Sequence, residues 1–258
     1  GLEEVEDKVF KRCSRLKELA FGKYVRAIGE QAFYSCFSLK EVCFPDKLAS
    51  VGSMAFYRCK ALKEVRLLPG IESVGNLAFA QSGVRKFRME GSGRKYGEAI
   101  LFQCAGLRTV ILEPGVSHIP DKLAYGCTAL KQVILPDTLE SVGRNVWEHT
   151  PFLDSWIEGQ TAHWPGDQIR AGQQPENRRE KSGEGRCAIF WDGRKLAGAV
   201  SLPQETRIVA GGAFYGNHSL TEVRFPNHVA WVGGAALKGC AQLRHVVWPE
   251  SVTTAEPE

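Results

Sequence analysis

The chain has 258 residues, 43% of them hydrophobic and 24% charged, with a formal net charge of +4. That is the composition of a folded protein in water. It is too mildly basic for a dedicated nucleic-acid binder, where a domain pI above about 9 is expected, and no run of about 18 apolar residues could span a membrane as a helix. The first residues, Gly1 to Glu6, lack the basic and apolar regions of a signal peptide. The chain opens on a glycine and stops at Ser251-Val252-Thr253-Thr254 with a repeat barely begun, so a leader and further domains are expected outside it.

Taken in chain order, the sequence repeats itself every 23 residues: Phe10, Phe33, Phe56, Phe79 and Phe102 keep that step, as do Cys13, Cys36 and Cys59. Leu16, Leu39 and Leu62 do the same, followed by Val84, Leu107 and Leu130. A fixed period of this length marks a solenoid, in which one small unit is stacked many times and neighbours share a core. Within the unit, Glu41-Val42-Cys43-Phe44 and Glu64-Val65-Arg66-Leu67 alternate as half-buried strands do. Prolines (Pro45, Pro69, Pro114, Pro136, Pro226, Pro249) end the strands. A short apolar pair such as Val25/Ile28 precedes a glycine (Gly29, Gly52, Gly75, Gly143), which suits a turn of positive φ. Ala32 to Leu39, with Phe33, Cys36 and Leu39 three apart, reads as one turn of α- or 3₁₀-helix. The expected fold is therefore an α/β solenoid of short strands with short helical returns. Repeats begin near Val25, Leu48, Ile71, Val116, Leu139, Thr206 and Val229, with a leading half-repeat at 2–21 and a degenerate one around Phe102 and Leu107. Residues 1–150 form a first block, 151–200 an insertion and 201–258 a second block, all in one continuous solenoid.

Within the insertion, residues 159–186 are polar, mixed in charge and rich in Gly and Pro, and are expected to form a long exposed loop, partly disordered. Residues 187–200 carry Asp192-Gly193 between apolar flanks, a hairpin signal, and the hairpin is expected to restart the stack. Trp156, Trp164 and Trp191 would make this a binding protrusion; a tolerated insertion is the plainer reading.

Six of the eight cysteines (Cys13, Cys36, Cys59, Cys104, Cys127, Cys240) occupy one repeat position, and Asn217 fills the same slot. This periodicity favours a buried ladder of free thiols that donate to backbone carbonyls, although stacked rungs about 5 Å apart are within disulfide range. Cys43 lies off the ladder on the outward side of its strand, and Cys187 lies near the hairpin. No C-x-x-C or H-x-x-x-H spacing suggests zinc. Gly91 to Gly97 is one residue too long for a dinucleotide fingerprint. Asn217-His218-Ser219 matches a glycosylation acceptor, but on a buried slot. No catalytic, cofactor or metal residue is expected, and the chain is read as no enzyme.

Outward strand residues should align into columns. One runs Glu18, Glu41, Glu64, Lys86, Thr109, Gln132, then Glu222 and His245. The next runs Ala20, Cys43, Arg66, Arg88, Ile111, Ile134, then Arg224 and Val247. The result is an acidic stripe, a basic zone (Arg66, Arg85, Lys86, Arg88, Arg94, Lys95) and an apolar stretch. Arg66, Lys86, Arg88, Ile111 and Ile134 are the expected protein-binding patch, since arginine and apolar residues together suit an interface core. Glu18, Glu41 and Glu64 on the same face disfavour nucleic acid.

The pattern Ile28-Gly29, Ala32-Phe33, Cys36, Leu39, Val42, Phe44-Pro45, echoed by Val51-Gly52, Ala55-Phe56, Cys59, Leu62 and Val65, resembles the BspA-like leucine-rich repeats, over about four fifths of the chain. Pro120 and Trp147 depart from it. The resemblance implies a right-handed leucine-rich-repeat solenoid and a non-catalytic protein-interaction domain of a bacterial cell-surface or secreted, adhesin-like protein. The implied partner is a host or bacterial surface protein. A carbohydrate-binding module using Trp164 and Trp191, or a structural spacer, are the alternatives.

Overall fold

In the computed structural model, residues 1–91, 95–136, 138–154, 189–190, 193–204 and 206–249 are described in full, and 161–162, 169–170 and 188 by their backbone. The chain winds as a parallel β-solenoid of about nine turns on a 23-residue step. Each turn contributes to two strand rows. In the first row, Glu4–Val5, Ala27–Ile28, Ser50–Val51, Ser73–Val74 and Lys95–Tyr96 form one parallel sheet. In the second, Glu64–Leu67, Lys86–Met89, Thr109–Leu112 and Gln132–Ile134 pair in parallel, and Ala20 and Cys43 bridge in the same sense before them. Alternation decides which side is buried: Glu64 and Arg66 are exposed while Val65 and Leu67 are buried.

The returns between the rows are turns, not the expected helices. The reason lies in where the backbone N–H groups go. Ala32, Tyr34 and Cys36 donate within the turn, to Gly29, Gln31 and Phe33, while Gln31, Phe33 and Ser35 donate to Ser53, Ala55 and Tyr57 of the next turn. A helix would consume all of these donors internally. Aiming every second one along the stack requires left-handed residues four apart, at Gln31 and Ser35 (φ 55° and 59°), then Met54 and Arg58 (φ 54° and 61°). Each non-glycine residue so held costs about 1–2 kcal/mol, which the inter-turn bonds offset. One short helix exists among the described residues, Pro151–Asp154. Thr150 caps it, accepting from the Leu153 N–H at 3.2 Å, with proline at the first helical position.

The repeat glycines have a different purpose from the expected one. Gly29, Gly52 and Gly75 do not have left-handed φ. They let successive turns touch: a Cβ on Gly52 would lie 2.5 Å from the Gly29 carbonyl carbon, and one on Gly75 2.3 Å from Ser53 N.

The core is filled by stacked rungs. Phe10, Phe33, Phe56 and Phe79 lie ring over ring at 5.2, 5.1 and 5.2 Å, each pair worth about 0.5–1.5 kcal/mol beyond burial. Phe102 does not continue this stack. The inter-turn bonds run Phe79 N to Ile100 O and Leu101 N to Leu123 O, so the rung after Phe79 is the fully buried Leu101. Phe102 sits one place outward, stacked on Tyr125 at 5.3 Å. The slip comes from a one-residue deletion, where Cys59-Lys60-Ala61-Leu62 becomes Ser82-Gly83-Val84. Only glycine fits there, since a Cβ on Gly83 would lie 1.9 Å from the Lys60 carbonyl oxygen.

After Pro151–Asp154 the chain leaves the stack. Of the expected loop, the described backbone holds two strands: Thr161–Ala162, antiparallel to Ile189 and Phe190, and Ile169–Arg170, antiparallel to Gln132–Val133 at the edge of the second row. Trp156, Trp164, Cys187, Trp191 and Asp192 lie outside the described residues. The expected hairpin around Gly193 is not formed. Its two arms, Ala188–Phe190 and Gly198–Ser201, belong to different sheets, each parallel to the next turn. Residues 188–190 and 193–203 instead join the parallel stack of the solenoid. Phe190 stacks on Phe214 at 5.1 Å, and a Cβ on Gly193 would lie 2.3 Å from that ring. The first block meets the later turns through an Arg144–Gly211 bridge, the Gly211 N–H to Val142 carbonyl bond and the Arg194–Glu148 ion pair.

Candidate binding surface

The slot behind the returns is a hydrogen-bonding ladder. Cys36, Cys59, Cys104, Cys127 and Cys240 each donate Sγ–H to a carbonyl of the preceding turn, namely Phe10, Phe33, Phe79, Leu101 and Phe214, at 3.1–3.3 Å. Burial pushes the Cys36 and Cys104 thiols up to about 11 and raises Cys59 and Cys127 further. The described cysteines are all free. Cys13, on the first turn, is exposed. The sequence reading missed two members. Ser82 takes the slot between Cys59 and Cys104, its hydroxyl 3.3 Å from Cys104 Sγ, and Thr150 takes the slot after Cys127, donating to the Trp147 carbonyl at 2.5 Å. Asn217 satisfies four backbone groups at once: its amide donates to Gly193 and Leu196 and its carbonyl accepts from Ser219 and Leu220. A side chain so committed and 2% exposed is no glycan acceptor. These thiols are structural, and no group of His, Cys, Asp and Glu among the described residues could hold a metal.

The second strand row carries the candidate surface. Its register pairs Glu64 with Lys86, Lys86 with Thr109 and Thr109 with Gln132, and in the next column Arg66 with Arg88, Arg88 with Ile111 and Ile111 with Ile134. In the later turns Glu222 pairs with His245 and Arg224 with Val247. All five expected patch residues therefore lie side by side in two columns. Cys43 is exposed, adjoining Ala20.

Three details differ from expectation. Ile111, outward in the alternation, is only 8% exposed, so it floors the patch while Ile134 is half-buried. Lys95 belongs to the first strand row, paired with Ser73, and leaves the basic zone; Arg94 lies outside the described residues. The arginines are also neutralised by carboxylates that sequence reading overlooked. Arg66 grips Glu90 with two N–H groups at 2.6 and 3.1 Å, and Arg88 holds Glu113 at 2.5 Å. Lys86 reaches Glu64 at 3.5 Å. The hydrogen bond from Arg66 holds the Glu90 carboxyl below its ordinary range. These pairs fix planar guanidinium groups across adjacent turns.

Among known proteins, the family model for the BspA type leucine rich repeat region matches residues 1–104, 69–158 and 190–258, in six copies. No curated protein sequence matches the chain. Among solved structures, the T. pallidum leucine rich repeat protein is 28% identical over 50% of this chain and 61% of its own, with a TM-score of 0.48. The pneumococcal vaccine antigen PcpA is 17% identical over 97% of this chain and 49% of its own, at 0.44. A leucine rich cell surface protein from Faecalibacterium prausnitzii is 16% identical over 95% and 69%, at 0.45. The chain thus spans about three fifths and one half of the first two. With most of its length matched by the family model, the chain belongs to the BspA-type leucine-rich-repeat family.

Proposed function

We propose that the second strand row is the protein-binding face of a surface or secreted, adhesin-like protein, and that Arg66, Lys86, Arg88 and Ile134, over the buried Ile111, make the central contact. The observation that carries this reading is the ordered Arg66–Glu90 and Arg88–Glu113 pairs standing in register beside an apolar column. Pre-set guanidinium planes next to apolar side chains present an anchor whose ordering cost is already met before a partner arrives. The extended sheet face of a repeat stack suits a long partner. Family membership supports a protein-interaction role, and the surface location follows the character of bacterial relatives such as the Faecalibacterium prausnitzii cell surface protein.

The test is a biolayer-interferometry screen of the chain against host matrix proteins and a glycan panel, at low and moderate salt, with an Arg66→Glu/Arg88→Glu variant alongside. A protein hit that the variant loses supports the reading. A hit of unchanged affinity in the variant removes the patch from these residues.

A further inference from the structure

One column beside the proposed patch has a single sign. At the residue just before each second-row strand stand Lys17, Lys40, Lys63, Arg85, Arg108 and Lys131, one per turn through six successive turns, all exposed. Backbone bonds put them in direct succession: Lys40 N–H donates to Lys17 O, Arg85 N–H to Lys63 O, Arg108 N–H to Arg85 O and Lys131 N–H to Arg108 O, at 3.3, 2.7, 2.8 and 3.1 Å. Strands lie about 4.8 Å apart, so the six backbone positions span about 24 Å along the stack, with the Lys63 ammonium turned back to the Lys60 carbonyl at 3.4 Å. Among the described residues no carboxylate pairs with any of them, in contrast to Arg66 and Arg88.

The row is not uniform in potential. Its first three cations each have a glutamate as next residue, Glu18, Glu41 and Glu64, exposed on the same face. Its last three are followed by Lys86, Thr109 and Gln132, and the Thr109 hydroxyl donates to Gln132. Unpaired positive charge is therefore concentrated at Arg85, Arg108 and Lys131. Unpaired like charges held one strand apart repel one another, and a chain of anions laid along them relieves that repulsion.

We propose that this row binds a linear acidic polysaccharide, running along the stack with its charged groups over Arg85, Arg108 and Lys131. Spacing selects the partner class. A pyranose ring spans roughly one strand spacing, so successive sugars stay in step with successive turns. An extended peptide places same-face side chains about 6.6 Å apart, out of step with a 4.8 Å row. A single nucleic-acid strand relies on aromatic platforms for its bases, and the residues flanking the six cations in sequence are Leu, Val, Glu, Lys, Thr and Gln. The duplex backbone also curls away from a straight row within a few phosphates. The sulfate and carboxylate forms share the anionic chemistry read here, and the experiment separates them.

The experiment measures binding of the whole chain by isothermal titration to a heparin oligosaccharide, to a carboxylate-only polygalacturonate oligosaccharide, to neutral dextran and to duplex and single-stranded DNA, at two salt concentrations. Variants are Arg85→Ser/Arg108→Ser/Lys131→Ser and, as the matched control, Lys17→Ser/Lys40→Ser/Lys63→Ser. All these side chains are exposed, and a thermal melt checks that each variant keeps the native fold. The expected result is salt-sensitive binding of one or both acidic oligosaccharides, weakened more than tenfold by the first triple and less than threefold by the second, with a salt slope reduced by about three in the first triple and nearly unchanged in the second. Binding of heparin alone identifies sulfate as the partner group, and binding of polygalacturonate identifies carboxylate. Absence of binding at low salt, equal losses in both triples, or DNA bound as tightly as either oligosaccharide overturns the proposal. Arg66→Glu/Arg88→Glu leaves the row intact, so failure of the protein-binding reading is told apart from failure here.

Discussion

The turns before Thr150 and those after Gly193 build one coil from different residues. In the first block the slot behind the return is closed by single donors: a thiol at Cys36, Cys59, Cys104 and Cys127, a hydroxyl at Ser82. In the second, Asn217 closes it with four bonds at one turn and the Cys240 thiol with one at the next. The left-handed return positions of the first block are held by side-chain-bearing residues such as Gln31, Arg58 and Gln81, with Gly126 an exception, whereas the later turns use Gly212, Gly216 and Gly239 beside Ala235. What does not differ is the glycine that lets turns touch: Gly52 and Gly233 meet the preceding backbone equally closely. The coil thus demands close approach, a satisfied slot and two left-handed residues, and the first has the narrowest choice: glycine at Gly29, Gly52, Gly75, Gly97, Gly143, Gly211 and Gly233, with Pro120 the one departure among the described turns after the first.

If that holds, Gly52→Ala and Gly233→Ala should be the most damaging changes and should damage equally. The new Cβ would sit 2.5 Å from Gly29 carbon in one and 2.4 Å from Gly211 nitrogen in the other, and backbone cannot give way as a side chain can. Each should cost on the order of 3 kcal/mol, read from urea unfolding midpoints at constant m-value. A loss below about 1 kcal/mol in either would mean the turns can part without cost.

The slot should separate the blocks. Asn217→Ala strands the Leu196 carbonyl and the Ser219 and Leu220 N–H groups, while the Gly193 carbonyl keeps its bond from the Leu196 N–H, and should cost about 2–3 kcal/mol; Cys59→Ala removes one weak donor and should cost about 1 kcal/mol. Cys59→Ser should be nearly neutral, because Ser82 already fills the equivalent place. Equal losses for Asn217→Ala and Cys59→Ala would show that slot volume, not bonding, is what matters.

The columns of the second strand row are readable from sequence because two periods, 2 and 23, jointly fix every outward residue: Glu64, Lys86, Thr109 and Gln132 lie where expected. Other features are hidden for physical reasons. In sequence the Phe79-to-Leu101 step looks like Phe79 to Phe102, because a deletion at Ser82-Gly83-Val84 leaves two adjacent apolar residues, and only inter-turn bonds choose between them. Return geometry is illegible because φ changes sign at Gln31, Met54 and Leu77, residues with no shared chemistry. The Arg66–Glu90 and Arg88–Glu113 pairs join residues 24 and 25 apart, off the period along which columns are read. The basic row from Lys17 to Lys131 keeps that period apart from the 22-residue step between Lys63 and Arg85, but lies one residue outside the alternating stretch that defines the columns.

The thiols give the first block a pH response the second largely lacks. Their folded pKa values are raised, so the neutral form is favoured in the fold. The associated stability is whole below the unfolded value of about 8.5 and is lost as pH rises from there towards the folded value, about 11 for Cys36 and Cys104. Each buried ladder thiol should then withdraw its share of stability steadily as pH climbs above about 8.5. In Cys59→Ser the fall in stability between pH 8 and pH 10 should be smaller than in the parent, read from urea unfolding at the two pH values. Identical pH profiles would mean the thiols ionise without resistance. Maleimide labelling at pH 8 offers a second check: Cys13 and Cys43 should react in the folded protein, and Cys59 and Cys127 only after denaturation.

The smallest effect tests the return itself. Gly216 has φ of 68°, and a Cβ there would meet nothing within 4 Å, so Gly216→Ala changes only the cost of holding a left-handed residue and should destabilise by about 1 kcal/mol. Arg58, at φ 61°, already bears that cost in the first block. Arg58→Gly relieves it, while giving up the Arg58–Gln81 bond at 2.9 Å, which is exposed, and adding the unfolded-chain entropy of glycine, about 0.5–1 kcal/mol. The two changes should therefore have opposite signs, the second a gain of a few tenths of a kcal/mol at most. If Arg58→Gly destabilises as much as Gly216→Ala, the side chains at these positions contribute to stacking as well as tolerating their φ. The first block would then be built on its return residues rather than in spite of them.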